Sequence, residues 1–172
     1  MSWFRTIVSA LALGAAMLSL GSCGFRPLYG AGEPGSASAM FASIEVAEMP
    51  GRIGYELRNN LIDRLSPEGS APDPRYLLDA RLDASKRALA IQQDETTTRF
   101  NLALDVDFML LDRTSNEAVY RDSVRIETSF NVLEDNYATL ASELDAEKRA
   151  ARQASEEIRT LLAVFFARQS GG

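Results

Sequence analysis

From about residue 41 onward, apolar and polar positions alternate in two distinct rhythms. Ala42, Ile44 and Val46 alternate with polar neighbours and predict a short first strand. Arg52 to Leu65 places Ile53, Leu57, Leu61 and Leu65 on one helical stripe, with Arg58, Asn59, Asp63 and Arg64 off it. Gly54 weakens the start of that helix, and Ser66-Pro67-Glu68-Gly69 ends it. Three longer segments then alternate with period two. Tyr76 to Ala84 carries Tyr76, Leu78, Ala80, Leu82 and Ala84. Thr96 to Leu111 carries Phe100, Leu102, Leu104, Val106, Phe108 and Leu110. Ala118 to Phe130 carries Ala118, Tyr120, Val124, Ile126 and Phe130. Such runs mark a sheet with one packed and one wet face. Asp112 to Asn116 reads as a hairpin connection, and Asp122, which interrupts the inward set, predicts a bulge or an edge position. Tyr137 to Arg168 returns to helical spacing, with Leu140, Leu144, Ala151, Ala154, Ile158, Leu161, Leu162 and Phe165 as its stripe and Asn136 as N-cap. The pattern predicts an α+β domain over residues 41–172, with two helices packed on one face of a mostly antiparallel four-stranded sheet, an α/β sandwich.

The first 40 residues follow neither rhythm. Met1 to Arg5 is a short head with one cation, and Ile7 to Leu20 is a run of 14 small or apolar residues. A membrane span needs about 20 such residues, so residues 1–22 read as a secretory signal peptide. Leu20-Gly21-Ser22-Cys23 is similar to the lipobox of bacterial lipoproteins, which predicts cleavage before Cys23 and lipidation of Cys23. Ordinary cleavage near Gly14-Ala15-Ala16 would instead leave Cys23 as a lone thiol in an exported protein. Gly24 stands where an Asp would signal retention at the inner membrane, so the expected address is the outer membrane. Residues 23–40, with the Gly/Ser/Ala/Pro-rich Gly30 to Ala39, read as the lipidated N-terminus and a flexible tether.

Composition narrows the chemistry. The chain has 172 residues and no His, which removes the commonest general base and metal ligand. Its one Cys supports neither an internal disulfide nor a thiolate zinc site. A net charge of -6 opposes bulk attraction to nucleic acid or anionic lipid. No cofactor, metal or nucleic-acid motif stands out. The wet strand positions carry five Arg (Arg75, Arg81, Arg99, Arg121, Arg125) and five acids (Asp79, Asp83, Asp105, Asp107, Glu127), a near-neutral mixed face. Asp105 and Asp107 point the same way at about 7 Å by strand geometry, so they are the one pair that could serve glycoside hydrolysis. A solvated strand face is the simpler reading. Lys86-Arg87, near the turn between the second and third strands, is the densest small basic site.

Cys23-Gly24-Phe25-Arg26-Pro27-Leu28-Tyr29-Gly30 resembles the segment that opens the mature lipopolysaccharide-assembly lipoproteins of the LptE family. Arg52-Ile53-Gly54-Tyr55-Glu56-Leu57-Arg58-Asn59-Asn60-Leu61 on the first helix, the three long strands, and Tyr137-Ala138-Thr139-Leu140-Ala141 with Asp145-Ala146 on the last helix follow in the same order. The resemblance implies an α/β sandwich and no enzymatic activity. It implies a lipid-anchored lipoprotein of the outer membrane, facing the periplasm and the lumen of a large β-barrel, the LptD translocon. There it would act as plug and assembly factor while lipopolysaccharide is inserted into the outer leaflet. Direct lipopolysaccharide contact is also implied, with Lys86 and Arg87 as candidates by charge and position. An auxiliary lipoprotein of a periplasmic lipid-transport complex is the competing expectation.

Overall fold

A computed structural model describes residues 37–67, 69–91, 98–133 and 135–170. The leader, Cys23 and most of the expected tether lie outside them. The described chain starts with α1 (Ala37–Ala42), so Ala42 closes a helical turn instead of opening the first strand. The order then runs β1 (Ile44–Val46), α2 (Gly51–Leu65), β2 (Tyr76–Ile91), β3 (Thr98–Asp112), β4 (Glu117–Val132) and α3 (Asn136–Ser170).

The four strands lie in sequence order in one mixed sheet. β1 runs parallel to the start of β2, pairing Ile44 with Tyr76 and Val46 with Leu78, and α2 makes the crossover between them. β2, β3 and β4 form an antiparallel meander. β2 continues well past Ala84, so Lys86 and Arg87 sit within a strand and not at a loop tip. β4 is an edge strand with a register shift opposite Leu110 and Leu111, which leaves Val119 as the extra residue. Asp122 therefore projects from an open edge, where its charge meets solvent.

Both long helices pack on the same face, where Leu78, Leu102, Leu104, Val106, Leu110 and Val124 are buried beneath Leu57, Leu61, Ile158 and Leu162. Ala146, Ala150, Ala151, Ala154 and Ala163 are fully buried on α3. These small side chains bring the α3 backbone close to β4 and α2. At the end of the sheet nearest α1, Phe166 meets Phe41 at 6.1 Å and Tyr76 at 5.6 Å between ring centroids, and Phe165 stacks on Tyr120 at 4.7 Å. Phe166, next to the expected stripe residue Phe165, is the more deeply buried of the two. At the opposite end Leu133, Tyr137 and Leu140 stay exposed, so the inward stripe of α3 begins at Leu144.

Two glycines and an asparagine fix the connections. Gly51 adopts φ +80, which lets the chain leave Pro50 and enter α2. A Cβ on Gly54 would stand 3.0 Å from three atoms of Met49, so this helix-weakening residue is there for close approach. Asn116 takes the left-handed conformation in the β3–β4 turn (φ 57), which Asn tolerates better than most residues. The cap of α3 is Asp135 and not Asn136, since the Asp135 carboxylate accepts the Tyr137 N–H at 2.8 Å.

Candidate functional surface on the open face of the sheet

Among the described residues, no element covers the second face of the sheet. Because side chains alternate across a strand, the odd-numbered residues of β2, β3 and β4 rise from this face between the two register shifts. One half is knitted together. The Arg125 guanidinium donates to both oxygens of Asp105 at 2.9 Å, and a further ion pair of 3.4 Å joins it to Glu127. Asn101 donates to Glu127 at 3.2 Å, and Arg99 to the Ser129 hydroxyl at 2.7 Å. Asp105, and then Glu127, holds the Arg125 guanidinium even more firmly protonated than usual.

The other half is a trough of about 570 Å³. Asp79, Met109 and Arg121 form one cross-strand row of its floor, and Arg81, Asp107 and Ser123 the next. Glu48 and Pro50 wall it beside β2. Arg81, Arg121, Asp79 and Asp107 have no hydrogen-bond or ion-pair partner among the described residues. At the β4 rim, Tyr120 donates to Asp122 at 2.6 Å, and Asp122 also accepts the Ser123 N–H at 2.8 Å. These bonds, the Tyr120 one foremost, hold the Asp122 carboxyl below its usual range, while burial and then Asp122 push the Tyr120 hydroxyl up to about 12.

The structure separates the residues singled out from sequence. Lys86 and Arg87 leave β2 on opposite faces and form no joint basic site. Lys86 turns to the helix side and is tied to Glu143 of α3. Arg87 is exposed on the open face without a partner among the described residues. Asp105 and Asp107 do share a face, but Asp105 is clamped by Arg125, and among the described residues no side chain bonds to Asp107. Among the described residues no group of three or more acids or Cys is placed to hold a metal. No described helix is long and apolar enough to cross a membrane.

Two polar features escaped the sequence reading. Glu147 of α3 is buried, and its Oε2 takes an ion pair of 2.6 Å from Arg52 at the start of α2. The signal was present: the apolar stripe skips from Leu144 to Ala151, and Glu147 fills the vacant helical position. Asp112 is also buried, at the β3–β4 turn. It accepts the Thr114 N–H at 2.8 Å and the Ser115 N–H at 3.3 Å, and pairs with Arg75 at 3.2 Å.

Comparison with known proteins agrees with this architecture. The chain is similar to protein RP188 of Rickettsia prowazekii, 27% identical over 150 residues, covering 87% of this chain and 92% of that protein. A crystal structure of a Caulobacter crescentus protein assigned as a lipoprotein superposes with a TM-score of 0.66 at 27% identity, over 77% of this chain and 96% of that one. A minor lipoprotein of Acinetobacter baumannii shares the fold at a TM-score of 0.52 and 14% identity, over 70% of this chain and 88% of that one. The model of the LptE family, described as lipopolysaccharide-assembly, matches residues 41–162. That span runs from α1 through most of α3 and includes every strand, and the chain therefore belongs to the LptE family of lipopolysaccharide-assembly proteins.

Proposed function

We propose that this chain is an outer-membrane lipoprotein, anchored through lipid on Cys23, that plugs and helps assemble an LptD-type β-barrel during lipopolysaccharide insertion into the outer leaflet. Family membership supports lipopolysaccharide assembly, and the lipobox at Leu20 to Cys23 supports the anchor. The observation that carries the partner assignment is the uncovered sheet face. It keeps both charge signs in positions unpaired among the described residues (Arg81, Arg121, Asp79, Asp107) around a trough, instead of an apolar patch. A barrel lumen is polar, and a body that fills it must offer charge and hydrogen-bonding groups. Strands of 15 and 16 residues extend about 50 Å at 3.3 Å each, longer than the hydrocarbon core of about 30 Å. The sheet is long enough to line a lumen from end to end. The protein's role in this reading is structural. Lipopolysaccharide contact falls to Arg87, whose charge has no partner among the described residues, since Lys86 is engaged by Glu143.

Pull-down of the tagged full chain from detergent-solubilised outer membranes tests the reading. A large β-barrel recovered at one-to-one stoichiometry is expected. Recovery with an inner-membrane transporter would favour the auxiliary-lipoprotein alternative, and recovery alone would overturn both. Cys23→Ala should abolish incorporation of radiolabelled fatty acid. Label retained by that variant would contradict the anchor assignment.

A further inference from the structure

The two outer edges of the sheet are treated differently. On β4, side chains occupy edge groups: Asp122 takes the Ser123 N–H, and Arg149 donates to the Ser129 carbonyl at 3.0 Å. On β2, the described residues cover the edge only where β1 lies. Tyr76 donates its N–H to Ser43, and the Leu78 carbonyl accepts from Ala47. The even-numbered residues of β2 thus aim their backbone groups toward this edge. Beyond Pro50, which lines the clefts beside Ala80 and Leu82, the groups of Leu82, Ala84, Lys86 and Ala88 have no partner among the described residues. The stretch ends at the register shift between Ala88 and Ala90. Its midpoint is Ser85.

We infer that Leu82 to Ala88 pairs with the same segment of a second copy of this chain, antiparallel about a two-fold axis at Ser85. The side chains select this register. On the open face, Asp83 of each copy lies opposite Arg87 of the other, twice by symmetry. Both residues are exposed and lack a partner among the described residues. These are non-hydrogen-bonded positions, where cross-strand Cα atoms approach to about 4.5 Å and side chains meet most closely. On the helix face, Leu82 meets Ala88, and Ala84 meets Lys86. Lys86 is the one inward-pointing charge in the stretch, and Glu143 neutralises it, so its methylenes lie against Ala84. Shifting the centre to Asp83 would set that carboxylate against its own copy. The product is an isologous dimer with one continuous sheet, which covers an edge that would otherwise template aggregation. The inference does not rest on the barrel reading, and its failure would leave that reading untouched.

Charge exchange provides the test, on the full lipidated chain in detergent micelles with association measured by sedimentation. Asp83→Arg and Arg87→Asp should each weaken dimerisation by about tenfold or more, because each creates two like-charge contacts. The double exchange should restore association to the original level. Ser85→Cys should oxidise to a symmetric disulfide, since a Cα separation of about 4.5 Å lies within disulfide reach. Ser123→Cys on the β4 edge should not. A parent chain that sediments as a monomer at every accessible concentration, a double exchange that fails to restore association, or equal oxidation of the two Cys variants would each overturn the proposal.

Discussion

Asp112 shows how one side chain can define a turn. Its carboxylate gathers the Thr114 and Ser115 N–H groups and the Arg75 guanidinium, while the Asn116 N–H bonds to its carbonyl at 2.7 Å. The Thr114 N–H contributes most to holding the carboxyl below its usual value, with Arg75 and Ser115 adding to it against the opposing effect of burial. A carboxyl depressed in the folded state stabilises the fold fully above its unfolded value of about 4 and loses that stabilisation as pH falls through the lower folded value. Asp112→Ala should therefore lower the urea midpoint at neutral pH, and its deficit against the parent should shrink as the pH drops below about 4. An equal deficit at neutral and acid pH would show that the turn depends on shape and not on the charge. Only part of this role was legible beforehand. The Thr114 and Ser115 N–H groups are local to the hairpin residue Asp112, whereas Arg75 reaches it only after β2 and β3 pair.

At the scale of elements, alternation carried most of the information. The three long strands, the two long helices and their shared packing face follow from period two and period 3.6. Three local features did not follow. The strand limit at Ala84 fell short because Ser85 to Ala88 loses its apolar alternation while its backbone still pairs with β3. The helical turn α1 is set by tertiary burial of Phe41 beneath α3 and not by a long local pattern. Lys86 and Arg87 read as one basic site because they are adjacent in sequence, whereas a strand sends adjacent side chains to opposite faces. The α2–α3 contact holds a buried acid in a largely apolar seam. The Glu147 side chain is 6% exposed, and that of Arg52 is 56% exposed. Removing Arg52 strands a buried carboxylate, whereas removing Glu147 only returns an already wet guanidinium to water. Arg52→Ala should therefore cost about 1–3 kcal/mol of unfolding free energy, and more than Glu147→Gln. Chemical denaturation of both variants checks the order, and the reverse order would mean that Glu147 is stabilised by other groups.

For the molecule as a whole, the same asymmetry separates structure from function. One face of the sheet is sealed by α2 and α3 and supplies the core. The other is left bare by the described residues, charged in both signs, and only half knitted by its own ion pairs. Sequence alone located this face, since its charged strand positions alternate with the core set; Arg75, counted with them, lies before β2 and pairs with Asp112 instead. It could not show that Arg125 satisfies Asp105 while Arg81, Asp107 and Arg121 find no partner among the described residues, because that division depends on register between strands. The family match accounts for the fold and for the link to lipopolysaccharide assembly, and the bare face is where a partner wall would meet it. Site-specific photo-crosslinking in intact outer membranes tests this most directly, with probes at Arg81, Asp107 and Arg121 on the sheet face and at Gln153 and Glu157 on the solvent side of α3. Adducts to a single large β-barrel from the sheet-face probes, at one chain per barrel, are the predicted result. A sheet face that yields no barrel adduct while the helix face does, or a barrel absent from every adduct, would contradict the account.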